Sequence, residues 1–366
     1  MKNQEKIFVI GHKNPDTDSI CSAIAYCDIK NRTTQESRYI PKRAGQINEE
    51  TEYVLNRFGV HPPGYLSNIG TQVKDMDIRL SPEANKSMSL KNAWDLMQEN
   101  SIVSLPIREK DGTLEGLITI GDIAKTYMDT TDSYLLSRAR TQYQRIAETI
   151  GGKVIEGNAH GYFIQGKIMV ATANPDKMKE YVEENDMVIM GNREEDHLQA
   201  IEQNVSCIIV GMGIEVTEKV LKLAHEKDIV IISSPYDPFT ISRLINQSIP
   251  VKYIMKTDNL VTFNTEDFTD DIQEVMIKHR HRAFPVINKK GKCIGTISRR
   301  NFLDMHRKKV VLVDHNEKDQ AVDNIDKADI MEIIDHHKLG TLQTMQPISF
   351  RNQPEGCTGR IKNQMY

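Results

Sequence analysis

The stretch GHKNPDTDS, residues 11–19, decides how the rest of the chain is interpreted. The apolar run IFVI at 7–10 is typical of a short buried strand, and ICSAIA at 20–25 is typical of a helix. One imidazole and two carboxylates therefore lie in a tight loop between a strand and a helix. Divalent cations bind carboxylate oxygen, and transition metals also accept imidazole nitrogen. The candidate metal ligands in this loop are His12, Asp16 and Asp18.

An alternative explanation for the polar loop is helix capping. Asp18 or Ser19 would then accept a hydrogen bond from a backbone N–H at the start of the helix. Capping accounts for one polar side chain but not for three together, which favours a metal site. The positive end of the helix dipole also allows a phosphate to bind near this loop.

The composition indicates a soluble globular protein of about two or three domains, with 366 residues of which 39% are hydrophobic and 27% are charged. The net charge of −4 offers no general basic surface for nucleic acid. The five cysteines form no C-x-x-C pair, which favours reduced thiols over a disulfide framework. Because no signal peptide or membrane-spanning apolar run is recognisable, we expect a cytoplasmic protein without membrane or nucleic-acid partners.

Two distant segments, about 73–129 and 251–307, share one pattern. Each reads as a helix, an x-Pro-apolar strand, a turn glycine, a Gly-apolar strand and Ser/Thr-x-x-Asp/Asn before a further helix. This internal repeat resembles a pair of CBS (cystathionine-β-synthase-type) modules, and the resemblance implies binding of adenine nucleotides. The hydroxyl and the acid or amide three residues later would contact phosphate and ribose, although the same pattern also caps helices and the two roles can coexist. The nucleotide-binding candidates are Thr119, Asp122, Ser298, Arg299 and Asn301.

The region between the repeats has its own alternation of apolar runs and helical stretches, from about 143 to 249. The alternation predicts a small parallel α/β domain. Its position and pattern resemble the DRTGG domain found between CBS modules, although those five letters do not occur in this chain.

Two later apolar runs, in VVLVDH (310–315) and EIIDHH (332–337), also end in acids and histidines. In an open parallel sheet the carboxyl ends of the strands line one crevice, where ligands bind. Several buried carboxylates in that crevice would be costly unless cations neutralised them. The three strand ends together therefore predict a site for two metals, an arrangement suited to hydrolysing phosphoanhydrides.

The predicted ligands divide between the two metals as follows. His12 and Asp16 hold one metal, Asp18 and His336 hold the other, Asp314 bridges them, and His337 faces the phosphate as the candidate catalytic residue. As an alternative, the triplet at 335–337 alone could begin a helix with a neutral histidine. That alternative does not account for three similar strand ends in one chain.

The motifs GHKNPDTDSI, VDHNE and IIDHH, with the CBS–DRTGG–CBS insertion, resemble family II inorganic pyrophosphatases of the DHH superfamily. The resemblance implies hydrolysis of pyrophosphate to two phosphates at a site with two Mn²⁺ or Co²⁺ ions, with Mg²⁺ accompanying the substrate. It also implies a homodimer regulated by AMP, ADP or dinucleoside polyphosphates. Other DHH-superfamily phosphoesterases and exopolyphosphatases share the ligand pattern and are an alternative.

The predicted fold class is α/β, with a parallel-sheet DHH domain interrupted by a regulatory insertion of two CBS modules flanking a small α/β DRTGG-like domain. The predicted boundaries are 1–66 for the first part of the DHH domain, 67–130 for the first CBS module, 141–249 for the DRTGG-like domain, 250–307 for the second CBS module and 308–366 for the second part of the DHH domain.

The resemblance has one departure, near residues 354–358. The chain reads PEGCT where the family usually reads PVGCT, and no acid follows Glu355. The family has a further bridging aspartate and a second domain with substrate-clamping lysine and arginines, which we expect this C-terminally truncated polypeptide to lack. Since such cations stabilise charge during phosphoryl transfer, we expect weak or no turnover. The alternative function is an adenine-nucleotide-sensing binding protein that has lost catalysis.

Overall fold

The computed structural model describes residues 6–35, 37–128, 132–303 and 305–363. Within these ranges the strands are β1 (Ile7–Ile10), β2 (Tyr39–Arg43), β3 (Gly64–Tyr65), β4 (Arg79–Leu80), β5 (Ser104–Arg108), β6 (Leu114–Thr119), β7 (Thr141–Gln142), β8 (Lys153–Glu156), β9 (Tyr162–Phe163), β10 (Ile168–Val170), β11 (Met187–Met190), β12 (Cys207–Val210), β13 (Val230–Ser233), β14 (Phe263–Asn264), β15 (Phe284–Ile287), β16 (Cys293–Ile297), β17 (Lys309–Val313), β18 (Asp329–Asp335) and β19 (Ser349–Asn352). The helices are α1 (Thr17–Thr34), α2 (Glu49–Arg57), α3 (Leu90–Glu99), α4 (Ile120–Met128), α5 (Leu135–Arg138), α6 (Tyr143–Thr149), α7 (Pro175–Met178), α8 (Glu194–Glu202), α9 (Glu218–Glu226), α10 (Pro238–Leu244), α11 (Thr269–Lys278) and α12 (Thr358–Asn363). None of the helices in these ranges has the length and apolar character needed to cross a membrane.

The chain divides into two compact units. The first unit comprises Met1–Ile78, Phe263–Arg280 and Ser298–Tyr366, and the second comprises Arg79–Thr262 and His281–Ile297. The segment predicted as the second CBS module is therefore shared between them. Within the first unit, α11 is joined to the segment before β4, because Thr269 donates to the Thr71 carbonyl through both its backbone N–H and its hydroxyl.

The first unit contains a six-stranded sheet in the order β19-β18-β17-β1-β2-β3. Each neighbouring pair in this sheet is parallel. The parallel α/β fold predicted from the sequence is thereby confirmed. Strands β1, β17 and β18 are adjacent at its centre, so their carboxyl ends meet at one edge.

Residues of β1 and β17 are buried on both faces of this sheet. Val9 and Val311 belong to one apolar cluster with Tyr26 of α1, whereas Ile10 and Leu312 belong to a second cluster on the opposite face. Burial on both faces explains why these strands read as continuous apolar runs rather than as alternating patterns.

Helix α1 begins directly after the loop at residues 11–16. Its N-cap is Asp16, whose Oδ1 accepts a hydrogen bond from Ser19 N at 2.9 Å, so the capping residue is neither of the two considered from the sequence. A side chain at Gly11 would place its Cβ 1.8 Å from Ser19 Oγ. Glycine at this position therefore lets the end of β1 approach the first turn of α1 closely.

The second unit contains a five-stranded sheet in the order β10-β11-β12-β13-β8. Strands β10 to β13 are parallel, and β8 pairs antiparallel with β13. This sheet confirms the small α/β domain predicted between the repeats. The two strands predicted in each repeat also form, since β5 pairs antiparallel with β6 and β15 with β16.

One element of the predicted repeat differs from the structure. The pattern predicts a helix after Ser298-x-x-Asn301, but the residues described there form a single 3-10 turn, Arg299–Phe302. The turn is closed by i→i+3 hydrogen bonds, from Asn301 N to the Ser298 carbonyl and from Leu303 N to the Arg300 carbonyl. Such tight turns rarely continue for more than one turn.

Candidate metal centre

The candidate metal centre lies at the carboxyl edge of the six-stranded sheet. The loop after β1 carries His12. Asp314 directly follows β17, and the two histidines of the DHH triplet directly follow β18. The start of α1 adds Asp16 and Asp18. The six side chains predicted for the site are thus brought to one place.

Asp314 is the central residue of this cluster and is 1% exposed. His12 Nε2 lies 3.4 Å from its Oδ2 atom, and His336 Nε2 lies 3.2 Å from its Oδ1 atom. The Asp314 backbone has φ +63°, in the left-handed region that is uncommon for residues other than glycine.

The other two carboxylates lie on opposite sides of Asp314. Asp16 Oδ1 is 3.9 Å from His12 Nε2. Asp18 Oδ2 is 3.7 Å from His336 Nε2. Each predicted His–Asp pair therefore faces a different oxygen of Asp314, as a carboxylate bridging two cations would require.

The ring of His336 is oriented by a backbone contact. Its Nδ1 atom lies 3.0 Å from the Glu355 carbonyl oxygen, which can only accept, so Nδ1 carries the proton. When the ring is neutral, its Nε2 lone pair points at the carboxylates of Asp18 and Asp314. A cation between these atoms would relieve the repulsion, and this pattern of a ligand histidine with its second nitrogen bonded to a carbonyl is usual in metal sites.

His337 is oriented differently from its neighbour. Its Nδ1 atom is hydrogen-bonded to Asp335 Oδ1 at 2.8 Å, and its side chain is 52% exposed. Burial opposes ionisation of Asp335, but hydrogen bonds from His337, Asn316 and two backbone N–H groups outweigh it and lower the pKa of Asp335. The ionised Asp335 thus fixes Nδ1 of His337 as a donor and leaves its Nε2 atom available for a ligand.

The electrostatics of the cluster also fit a cation. Burial raises the pKa of Asp314, and the nearby carboxylates of Asp18 and Asp16 raise it further, against the opposing hydrogen bonds from His12 and Thr358. Burial lowers the pKa of His12, but the Asp314 contact and the surrounding acids outweigh it and raise the pKa overall. Asp314 Oδ2 is buried, and its contact with His12 Nε2, at 3.4 Å, is long for a hydrogen bond. Divalent cations would supply the positive charge that these groups otherwise obtain from protons.

Two residues at the site were not assigned from the sequence. The Thr358 hydroxyl donates to Asp314 Oδ1 at 3.0 Å, and its backbone N–H donates to Asp18 Oδ2 at 2.7 Å. His315 is buried, its Nδ1 is bonded to the Val313 carbonyl, and burial lowers its pKa to about 4. The only sequence signals for them were the motifs PEGCT and VDHNE, which do not by themselves assign a contact.

The nucleotide candidates of the second unit, Thr119 and Asp122, lie where β6 passes directly into the first turn of α4. Asp122 Oδ2 accepts from both the Thr119 hydroxyl at 2.6 Å and the Thr119 N–H at 2.9 Å. Lys256 Nζ lies 3.6 Å from the other oxygen of Asp122. The threonine and aspartate are therefore fixed relative to each other, beside a cation that could meet a phosphate.

In the first unit, Ser298 and Asn301 form the same pair of hydrogen bonds, with an asparagine amide in place of the aspartate carboxylate. Asn301 Oδ1 accepts from Ser298 N at 2.7 Å and from Ser298 Oγ at 2.8 Å. The Arg299 guanidinium instead donates to the carbonyls of Met276 and His279 at the end of α11. These contacts hold the Arg299 guanidinium at the C-terminal end of α11 and do not support its predicted phosphate contact.

Two domain families match parts of this chain. The CBS domain model matches residues 78–129 and 251–308, and the DRTGG domain model matches residues 145–248. A cobalt-dependent inorganic pyrophosphatase of Clostridium perfringens is 39% identical over 98% of this chain and 65% of that protein. A probable manganese-dependent inorganic pyrophosphatase of Thermotoga maritima is 32% identical over 100% of this chain and 66% of that protein. The chain therefore spans slightly less than two thirds of the length of these relatives.

A solved structure is similar to the part of the chain that contains the CBS and DRTGG domains. The CBS and DRTGG domains of the regulatory region of Clostridium perfringens pyrophosphatase, complexed with the activator diadenosine tetraphosphate, match with a TM-score of 0.59 and 34% identity. The match covers 63% of this chain and 100% of that structure.

The fold and the site together define an α/β protein with a candidate two-metal centre at the carboxyl edge of a parallel sheet and an inserted region with CBS and DRTGG domains. The chain is a homologue of the family II inorganic pyrophosphatases that carry CBS and DRTGG domains.

Proposed function

We propose that this chain forms the metal-binding part of a Mn²⁺- or Co²⁺-dependent inorganic pyrophosphatase that hydrolyses pyrophosphate to two phosphates. The proposal is carried by one observation, the convergence of His12, Asp314 and His336 from three adjacent strand ends. The relatives in Clostridium perfringens and Thermotoga maritima are cobalt- and manganese-dependent, in agreement with a mixed set of imidazole and carboxylate ligands.

Each side chain has a distinct role in the proposal. His12 and Asp16 would hold one cation, Asp18 and His336 would hold the other, and Asp314 would bridge both. Two cations would supply Lewis acidity and a water of lowered pKa, with Mg²⁺ accompanying the substrate. His337, held by Asp335 through Nδ1, presents Nε2 to the phosphate.

Metal titration tests this proposal on the chain as it stands. Calorimetry with Mn²⁺ or Co²⁺ should give about two equivalents bound. Phosphate release from pyrophosphate, measured in the same samples, should depend on the added metal and remain low if further substrate-binding groups are required. Absence of tight Mn²⁺ and Co²⁺ binding would contradict the proposal irrespective of turnover.

We also propose that adenine nucleotides regulate this protein through its CBS domains. The observation in favour is the match to a regulatory region whose structure contains diadenosine tetraphosphate. AMP, ADP or dinucleoside polyphosphates would bind at the turns that contain Thr119 with Asp122 and Ser298 with Asn301. Homodimer formation and a cytoplasmic location stay predictions from the family resemblance. If the chain binds adenine nucleotide but binds neither Mn²⁺ nor Co²⁺, the second candidate function, a nucleotide-sensing protein, applies.

The nucleotide site gives a separate prediction. Asp122→Ala should weaken AMP binding about tenfold or more in calorimetry, which corresponds to about 1.4 kcal/mol, because Thr119 loses its partner and the ribose loses an acceptor. Asn174→Ala is the matched control, since it removes the side-chain cap of α7 without touching either predicted turn. Equal AMP affinity in the Asp122 variant and the wild type would exclude Asp122 from the site.

A further inference from the structure

We infer that Thr358 is a positioning residue that holds Asp18 and Asp314 in the relative orientation that two metal ions require. This inference rests on the proposed metal centre and concerns a residue outside the predicted ligand set. Thr358 is fully buried, and it is the first residue of α12.

Thr358 contacts two different carboxylates through different groups. Its hydroxyl donates to Asp314 Oδ1 at 3.0 Å, and its backbone N–H donates to Asp18 Oδ2 at 2.7 Å. In the proposed site these are the bridging ligand and a ligand of the second metal. One residue therefore links the two carboxylates and fixes their separation.

Asp18 accepts two further hydrogen bonds, both at its Oδ1 atom. Gly359 N donates to Asp18 Oδ1 at 3.3 Å, and Ser22 Oγ donates to the same oxygen at 3.0 Å. The carboxylate is thus held by three donors before any cation binds. Such preorganisation lowers the cost of ordering ligands around a metal.

The hydroxyl of Thr358 has a specific effect on Asp314. The carboxylate plane can rotate about χ2, and the hydrogen bond to Oδ1 opposes that rotation. Oδ1 then faces His336 Nε2 at 3.2 Å and Oδ2 faces His12 Nε2 at 3.4 Å. Without the hydroxyl, one oxygen can turn away from its side of the site. Because Thr358 is buried, water cannot readily replace the lost donor.

The test compares four variants in the full chain, one of which, Thr358→Ala, removes both the hydroxyl and the methyl group of residue 358. Thr358→Val removes the hydroxyl and keeps the shape and the backbone N–H, whereas Thr358→Ser keeps the hydroxyl. Thr269→Val is the matched control, because Thr269 is a buried threonine of the first unit whose hydroxyl bonds the Thr71 carbonyl. Mn²⁺ and Co²⁺ affinities are measured by calorimetry, and the geometry of bound Co²⁺ is followed by its visible absorption spectrum.

The expected results separate positioning from general stability. Thr358→Val should weaken binding of the second cation by about 10–100-fold, the usual effect of removing a partner of a metal ligand, and should change the Co²⁺ spectrum. Thr358→Ser should keep both near wild type. Thr269→Val should lower the melting temperature without altering the spectrum, since its lost bond lies away from the ligands.

Several outcomes would overturn the inference. Wild-type affinity and an unchanged spectrum in Thr358→Val would do so directly. If both Thr358→Val and Thr358→Ala fail to fold while Thr358→Ser folds, the hydroxyl serves stability and the positioning role is wrong. If the wild-type chain binds neither Mn²⁺ nor Co²⁺, the proposed function fails as well, which distinguishes that failure from failure of the Thr358 inference alone.

Discussion

Asp314→Asn is expected to weaken Mn²⁺ and Co²⁺ binding by more than about a hundredfold and to abolish any metal-dependent release of phosphate. Replacing a partner of a ligand usually costs 10–100-fold in affinity, and Asp314 is proposed to ligate both cations directly. An asparagine offers one neutral oxygen where the site requires two charged ones. Calorimetry with each metal measures the loss.

The asparagine variant is well matched to the native backbone. Asn, like Asp, tolerates the left-handed conformation that residue 314 adopts with φ +63°. Its side-chain oxygen can still accept the hydrogen bond from Thr358. A loss of metal binding would therefore reflect the missing charge and ligand atom rather than a rearranged loop.

In the absence of metal, the Asp314→Asn substitution should stabilise the protein. The pKa of Asp314 is raised in the folded state, so its ionisation costs stability as the pH rises through that raised pKa. At pH 7 the metal-free asparagine variant should accordingly melt at a higher temperature than the metal-free wild type. Added Mn²⁺ should then stabilise the wild type by mass action and leave the variant almost unchanged.

Asp28→Asn provides the control for this pair of measurements. Asp28 lies on the same α1 helix as Asp18, is 53% exposed and pairs with Arg32 at 2.8 Å. Loss of an exposed ion pair has little effect on stability, and none is expected on metal binding. Metal binding that survives in Asp314→Asn would show that Asp314 is not a ligand.

The two adjacent histidines are expected to have separable functions. His336→Gln should reduce the number of bound cations from about two to one, because Nε2 of His336 faces Asp18 and Asp314. His337→Gln should keep both cations, because its Nδ1 atom is bonded to Asp335. It should instead weaken the binding of inorganic phosphate to the Mn²⁺-loaded chain by about tenfold or more, which corresponds to about 1.4 kcal/mol.

Both histidine variants are measured by the same two titrations, first with Mn²⁺ and then with inorganic phosphate. His160→Gln is the control, since His160 is an exposed histidine of the second unit. If His337→Gln loses metal as strongly as His336→Gln, the distinction drawn from the Nδ1 contacts is wrong. Normal metal stoichiometry in His336→Gln would remove His336 from the ligand set.

The predicted convergence of side chains succeeded because it depended on topology alone. Once β1, β17 and β18 are neighbouring parallel strands, His12, Asp314 and His336 must emerge at one edge. The apolar runs made these strands recognisable, and no knowledge of individual contacts was needed. The same reasoning does not extend to residues that reach the site from other directions.

Thr358 and Asp335 show where sequence reasoning stopped. Thr358 acts through a hydroxyl and a backbone N–H on carboxylates more than 40 residues away in the chain, and no periodicity encodes such contacts. Asp335 belonged to a recognised triplet, but only the structure separates its support of His337 from direct ligation. Arg299 had the charge expected for phosphate, yet its guanidinium donates to the end of α11.

The pairing of β1 with β17 has a consequence for the order of folding. Ile7 lies opposite Lys309 in the sheet, so the first strand cannot gain this neighbour until the ribosome has passed residues 11–308. At ordinary synthesis rates this delay is on the order of tens of seconds. The whole second unit, Arg79–Thr262 and His281–Ile297, is synthesised between these two strands. His12 and Asp314 can therefore come together only after the ribosome has completed that unit.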